Sequence, residues 1–126
     1  MDERERFETG MKTRREVLGD AHVDAAITKR NAFSEEFQDL ITRYAWGEAW
    51  ARDGLDRRTR SAITLAVLAA LGNEQELELH LRAAVRNGLT REEIAEVLLH
   101  TAVYAGVPAA NAAFAVAKRV LEPSES

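Results

Sequence analysis

A chain of 126 residues with 46% hydrophobic and 30% charged side chains is long enough for one domain with a core of its own, and too apolar to be disordered. Its net charge of −4 comes from 17 basic and 21 acidic residues interleaved without a basic tract, which argues against nucleic acid as a partner. There is no cysteine, so disulfides, thiolate metal sites and thiol redox chemistry are excluded. No uncharged apolar run reaches the ~20 residues of a bilayer span, and the charged start MDERERFETG lacks a signal-peptide core; no membrane association and a cytoplasmic location are expected.

Abundant alanine, only two prolines and the lack of any alternating segment predict an all-α fold of about six to seven helices. The first helix is expected over residues 3–18, capped by Asp2 and stopped at Gly19, with Phe7, Met11, Val17 and Leu18 as apolar anchors. Gly10 marks a close approach or a bend within it. Arg14 and Arg15 fall in its last turn, where cations complement the helix dipole. Residues 21–29 form a helical turn or two with His22 and Asp24 at the start. Ser34 is placed to cap a helix over about 35–51 that buries Phe37, Leu40, Ile41, Tyr44, Ala45 and Trp46. Two tryptophans and a tyrosine between Tyr44 and Trp50 mean core, subunit interface or the wall of a pocket, and Gly47 suggests that something packs closely on this helix.

Residues 52–55 form a turn, and Asp56 caps a helix running through Leu71. From Ala62 to Leu71 only Thr64 is polar, which suits a helix at the centre of the fold. Its first turn carries Arg57, Arg58, Arg60 and Ser61. Arginines oppose the dipole at a helix N-terminus, so either surface ion pairs or an anion compensates them.

Gly72 breaks the chain before Asn73–Gly88, NEQELELHLRAAVRNG, the stretch where chemistry is expected. Helical residues four apart lie nearly in line, at about 100° per residue, so Glu76 and His80 form a pair at the edge of the apolar face, with Asn87 within about a quarter turn. Gln75, Glu78, Arg82 and Arg86 occupy the opposite, solvated face. A carboxylate beside an imidazole is a proton-transfer pair, or else a hydrogen-bonded edge of the core; an unperturbed imidazole titrates near ~6.5. Thr90 and Glu93 form a capping box for a helix over about 91–105, with Ile94, Val97, Leu98, Thr101, Ala102 and Ala105 facing inward and His100 and Tyr104 stacked four apart. Gly106 breaks it, Pro108 suits the first turn of a last helix to Leu121, and the tail EPSES is polar and frayed. Phosphate loops, nucleophile elbows and metal-binding histidine spacings are absent.

TRREVLGDAHVD (Thr13–Asp24), FQDLITRYAWGEAW (Phe37–Trp50), TRSAITLAVLAALG (Thr59–Gly72), ELELHLRAAVRNGLT (Glu76–Thr90) and EVLLHTAVYAGVPAANAAF (Glu96–Phe114) resemble, in order and over nearly the whole chain, the 4-carboxymuconolactone decarboxylases. The resemblance implies a single domain with an alkylhydroperoxidase-D-like helical fold, a homo-oligomer with the hexamer favoured, no metal and no organic cofactor. It also implies a place in protocatechuate catabolism, in the β-ketoadipate pathway. The peroxidase relatives carry a C-x-x-C pair and a histidine four residues on. Here Asn73 and Glu76 stand where the cysteines would, Ser61 where an upstream acid would, and His80 is kept, so the site is shared without its thiol chemistry.

The substrate so implied is a dicarboxylate lactone. His80, tuned by Glu76, is expected to deliver a proton or contact the growing oxyanion; Arg57, Arg60 and Arg15 are candidates for the carboxylates. Ser61 and His22 are candidate polar contacts, and Trp46 and Tyr104 candidate walls. Two other readings share this scaffold: a decarboxylase or isomerase of a related lactone or keto acid, and a non-catalytic oligomeric binding module.

Overall fold

The computed structural model describes residues 2–122, and the part of the expected polar tail from Pro123 to Ser126 lies outside them. Among the described residues there are seven α-helices, one π-helix and no strand, so the expected all-α class holds. By contact the chain falls into two compact units, divided between Asp56 and Arg57.

In the first unit, α1 (Glu3–Leu18) starts where the Asp2 carboxylate accepts the N–H of Glu5 and stops where Gly19, at φ 93°, turns the chain and donates to the Arg15 carbonyl. Because Gly19 turns within a single residue, α2 (Asp20–Lys29) begins at once and runs to 10 residues rather than the turn or two expected. Arg15 braces this corner, reaching Asp20 at 3.1 Å and Asp24 at 2.9 Å.

The expected long helix over 35–51 is two structures. α3 (Glu35–Ile41) passes into a π-helix (Thr42–Ala49), whose wider turn is seen in the Trp50 N–H donating five residues back to Ala45 O at 2.9 Å. The cause is α1. A Cβ on Gly10 would lie 2.0 Å from the Thr42 carbonyl oxygen, and one on Gly47 2.4 Å from that of Arg6. The two backbones are therefore in direct contact, and glycine at both positions permits it. Gly10 thus marks the close approach. Ser34 is not a side-chain cap: its αR backbone directs the hydroxyl away, and Asn31 Oδ1 accepts the N–H groups of Phe33 and Ser34 instead. The expected buried face is corrected too. Trp46 is buried, but Phe37, Leu40 and Tyr44 are exposed, because α1 lies against the side formed by Thr42, Trp46 and Gly47.

The second unit holds α4 (Arg57–Leu71), α5 (Glu74–Arg86), α6 (Arg91–Ala105) and α7 (Val107–Leu121). Gly72 and Gly88 take positive φ at the turns around α5, and Gly106 does so between α6 and α7. The Thr90/Glu93 capping box is formed in full, and Pro108 sits in the first turn of α7. The core joins Leu65 and Ala69 of α4, Leu77, Leu81 and Ala84 of α5, Ile94 and Leu98 of α6, and Ala113, Val116 and Ala117 of α7, with Leu89 from the turn. Each fully buried leucine among them contributes about 2 kcal/mol of transfer free energy. α4 is central on one side only: Ile63, Val67 and Leu71 remain exposed, and Ala105 of α6 is exposed as well. Among the described residues no helix is long and apolar enough to cross a membrane.

Candidate active site

The candidate site is built on α5, whose register turns His80 inward with Leu77, Leu81 and Ala84. Burying an imidazole among leucines and alanines has a desolvation cost that core packing does not require. His80 is 8% exposed, and among the described residues of the second unit the buried polar side chains are Ser61, His80 and Thr101. The Thr101 hydroxyl donates to the Val97 carbonyl of its own helix at 2.9 Å. Ser61 Oγ accepts from the Asn87 amide at 3.0 Å. His80 is therefore the one buried titratable group among the described residues of this unit, and buried titratable groups concentrate at functional sites. Glu76, one turn towards the N-terminus of α5, is exposed. The two side chains share a face of the helix but not its solvation.

The Ser61–Asn87 hydrogen bond joins the first turn of α4 to the C-cap residue of α5. Arg57 and Arg60 are half-buried in that same first turn of α4. Arg58 between them turns elsewhere: its Nε donates to the Gly88 carbonyl at 3.2 Å, and its Nη2 pairs with the Glu93 carboxylate. That contact ties the start of α4 to the capping box of α6, and Arg58 followed by the Thr90 backbone holds the Glu93 carboxyl below its ordinary range. Tyr104 is exposed on α6, its ring 5.2 Å from that of His100 and tilted by 40°. His100 and Glu96 border an open groove of about 450 Å³ floored by Ala62, Ile63, Ala66 and Val97.

The remaining candidates lie in the first unit. Trp46 is buried and stacks on Trp50 with ring centroids 5.3 Å apart. His22 is half-buried on α2. Arg15 is committed to Asp24 and Asp20, and these two hydrogen bonds raise its pKa. Its neighbour Arg14, given only a dipole role by the sequence, is the buried one. It donates to Gln38 Oε1 at 3.2 Å and Thr42 Oγ1 at 3.4 Å, with no carboxylate among its hydrogen-bond partners in the described residues. Burial, then Arg30, lowers its pKa. The signal for this was present: Arg14 lies four residues after Gly10, on the side of α1 that meets the π-helix. Among the described residues no three His, Asp or Glu side chains gather as a metal site would need.

Helices throughout, a buried histidine on α5 and the absence of cysteine define an all-helical protein without thiol chemistry. The chain belongs to the carboxymuconolactone decarboxylase family, whose model matches residues 35–119. It is 48% identical to a 4-carboxymuconolactone decarboxylase of Acinetobacter baylyi over 122 residues, covering 97% of this chain and 91% of that protein. It is 42% identical to a nitrosuccinic acid decarboxylase of Metarhizium robertsii over 115 residues, 91% of this chain and 80% of the relative. A 4-carboxymuconolactone decarboxylase sequence from Pseudomonas putida is 56% identical over 48 residues, all of that sequence and 38% of this chain.

Proposed function

We infer that this protein removes CO2 from 4-carboxymuconolactone to give the β-ketoadipate enol-lactone, in the protocatechuate branch of aromatic catabolism. Similarity over nearly the full length to the Acinetobacter baylyi enzyme supports the substrate, and decarboxylation is common to the names of all three relatives. The observation that carries the site is the burial of His80, the one buried titratable group among the described residues of the second unit.

The chemistry asks little of a cofactor. The bond from the ring γ-carbon to its carboxylate breaks, and the electron pair flows through the ring C=C into the lactone carbonyl. A furan-like dienolate forms and CO2 leaves. A proton then adds at the carbon α to the carbonyl. The protein must hold a dianion, stabilise charge growing on the lactone oxygen and supply that proton. A preorganised donor to such an oxygen is worth about 3 kcal/mol. His80 is given the oxyanion contact or the proton delivery, and its burial strengthens either by excluding water. Arg57 and Arg60 are given the substrate carboxylates, since a guanidinium matches their planar geometry. Ser61, held by Asn87, presents a hydroxyl in the same turn of α4.

The protein is read as a single domain, because the family match runs across the boundary between the two units. It is read as a homo-oligomer, because Leu71, Val103, Tyr104 and Val107 are among many large apolar side chains that one chain leaves exposed. The test is turnover of 4-carboxymuconolactone by pure, chelator-treated protein, followed by loss of the butenolide ultraviolet absorbance with CO2 measured in parallel. Stoichiometric CO2 release supports the reading. Folded protein that releases none overturns it.

A further inference from the structure

Four large apolar side chains stand in a row on the outer face of the first unit. Phe33, Phe37, Leu40 and Tyr44 are 97%, 60%, 50% and 70% exposed. Phe37, Leu40 and Tyr44, three and four residues apart, share one side of the rod formed by α3 and the π-helix, and Phe33 lies in the turn just before it. The opposite side is engaged: Thr42, Trp46 and Gly47 are buried, and α1 packs on the π-helix. A contiguous apolar row of this size on a soluble surface marks an interaction site.

The charges beside the row identify the partner. Glu36 and Arg43, seven residues apart and so on the same flank of the rod, border an open groove of about 510 Å³ together with Phe37, Asp39 and Leu40. Asp39 is engaged within the chain, 2.9 Å from Arg30. Glu36 forms no ion pair with another described residue of its own chain. Arg43 is steadied by Glu3 at 3.1 Å through its Nε, and the fork of a guanidinium has further donors for a second carboxylate. One flank therefore has an acid towards its N-terminal end and a base towards its C-terminal end. Such a row is complementary to itself when two copies lie antiparallel about a two-fold axis: Glu36 of each meets Arg43 of the other, twice. A parallel pairing about a two-fold axis puts the two copies of this flank on opposite sides of the seam, where neither charge finds a partner in the other's flank.

We propose that this face is an isologous interface with a second copy of this chain, α3 and the π-helix packing antiparallel on their counterparts, Phe37 and Leu40 central and two Glu36–Arg43 ion pairs at the rim. Aromatic anchors at the centre with charges at the edge is the arrangement that dominates binding energy in protein interfaces. The proposal rests on the homo-oligomer reading and deepens it by naming the surface.

The test is the solution mass, by size-exclusion chromatography with light scattering over a wide concentration range, of the wild type, Phe37→Glu, Glu36→Arg, Arg43→Glu and the double variant Glu36→Arg/Arg43→Glu. Circular dichroism melts identify any variant that fails to fold, which matters for Arg43→Glu because it also loses Glu3. Phe37→Glu is expected to give a smaller assembly than the wild type, Glu36→Arg to weaken association about tenfold or more, and the double variant to regain most of it. A wild type that is monomeric throughout overturns the oligomer reading and this interface together. An oligomeric wild type whose mass Phe37→Glu leaves unchanged overturns the interface alone. Weakened single variants with no recovery in the double variant overturn the antiparallel geometry.

Discussion

The Asn87 amide donates to the Ser61 hydroxyl at 3.0 Å and so fixes the end of α5 against the first turn of α4. Ser61 is buried and Asn87 half-buried, so breaking the bond leaves a polar group only partly able to reach water. Ser61→Ala and Asn87→Ala are each expected to cost about 1 kcal/mol in urea melts. The double variant should show a coupling of about 0.5–1 kcal/mol. Additive losses would mean that the bond does not hold the two helices together.

His80 and Glu76 sit one helical turn apart with different solvation, buried against exposed. Their contributions to catalysis should differ accordingly. His80→Ala is expected to lower kcat by about 10²–10³-fold, the range for removing one oriented donor or acid. Glu76→Gln, screened by water, is expected to lower it less than about tenfold. Equal losses would require that substrate binding covers Glu76, and near-normal turnover by His80→Ala would sink the assignment.

Gly10 and Gly47 are the points where α1 and the π-helix touch backbone to backbone. Gly10→Ala sets a methyl 2.0 Å from a carbonyl oxygen and Gly47→Ala sets one 2.4 Å from another, whereas a Cβ on Gly54 meets nothing within 4 Å. Each of the first two substitutions is expected to destabilise by about 3 kcal/mol, and Gly54→Ala to fall within about 0.5 kcal/mol of the wild type. Melts followed by tryptophan fluorescence, which reports on Trp46 and Trp50 in this unit, provide the check.

What the sequence could disclose follows from where each cause lies. The ends of α1, α6 and α7 are written in local chemistry (Asp2, Gly19, the Thr90/Glu93 box, Pro108), and the structure keeps them. His80 was legible as an edge residue of the apolar face, clear of the charged stripe, but its burial beside an exposed Glu76 is decided by the helices that pack on α5. The π-helix was not, because its cause is a contact with a helix some thirty residues away. Arg14 and Arg15 are adjacent and chemically alike, and only the close approach at Gly10 separates the buried one from the paired one. Phe37, Leu40 and Tyr44 have the pattern of a buried face, and pattern alone does not tell whether the cover comes from the same chain.

Glu93 and Glu78 are held below the ordinary carboxyl range, Glu93 first by Arg58 and Glu78 first by Arg82 and then Arg119. A carboxyl with a depressed folded pKa stabilises above its unfolded value, near ~4.3, and that contribution is lost as pH falls through the lower folded pKa. Stability is therefore expected to be flat from neutrality down to the carboxyl range and then to fall with acid. Arg58→Gln should reduce the steepness of that fall and leave the alkaline side unchanged. Added salt should do the same, because both carboxylates are exposed to solvent. Urea midpoints across a pH series test this, and an unaltered acid limb in Arg58→Gln would show that the ion pair does not contribute to it.

Arg14 is the converse case, a buried cation whose described hydrogen-bond acceptors are neutral. Its contacts with Gln38 and Thr42, at 3.2 and 3.4 Å, are long beside the ~2.8 Å of charge-assisted bonds. Desolvating a guanidinium costs several kcal/mol, and neutral acceptors at such distances offset only part of it. An apolar side chain of similar length removes that cost and keeps the packing. Thr42 retains a partner of its own in the Gln38 carbonyl at 2.8 Å. Arg14→Met is therefore expected to lie within about 1 kcal/mol of the wild type or to be more stable. Arg14→Ala, which leaves a cavity between α1 and the π-helix, is expected to cost about 2–3 kcal/mol. Thermal and urea melts of the two variants decide it: a loss in Arg14→Met as large as in Arg14→Ala would mean that the charge itself, and not the packing of its stem, holds the π-helix on α1.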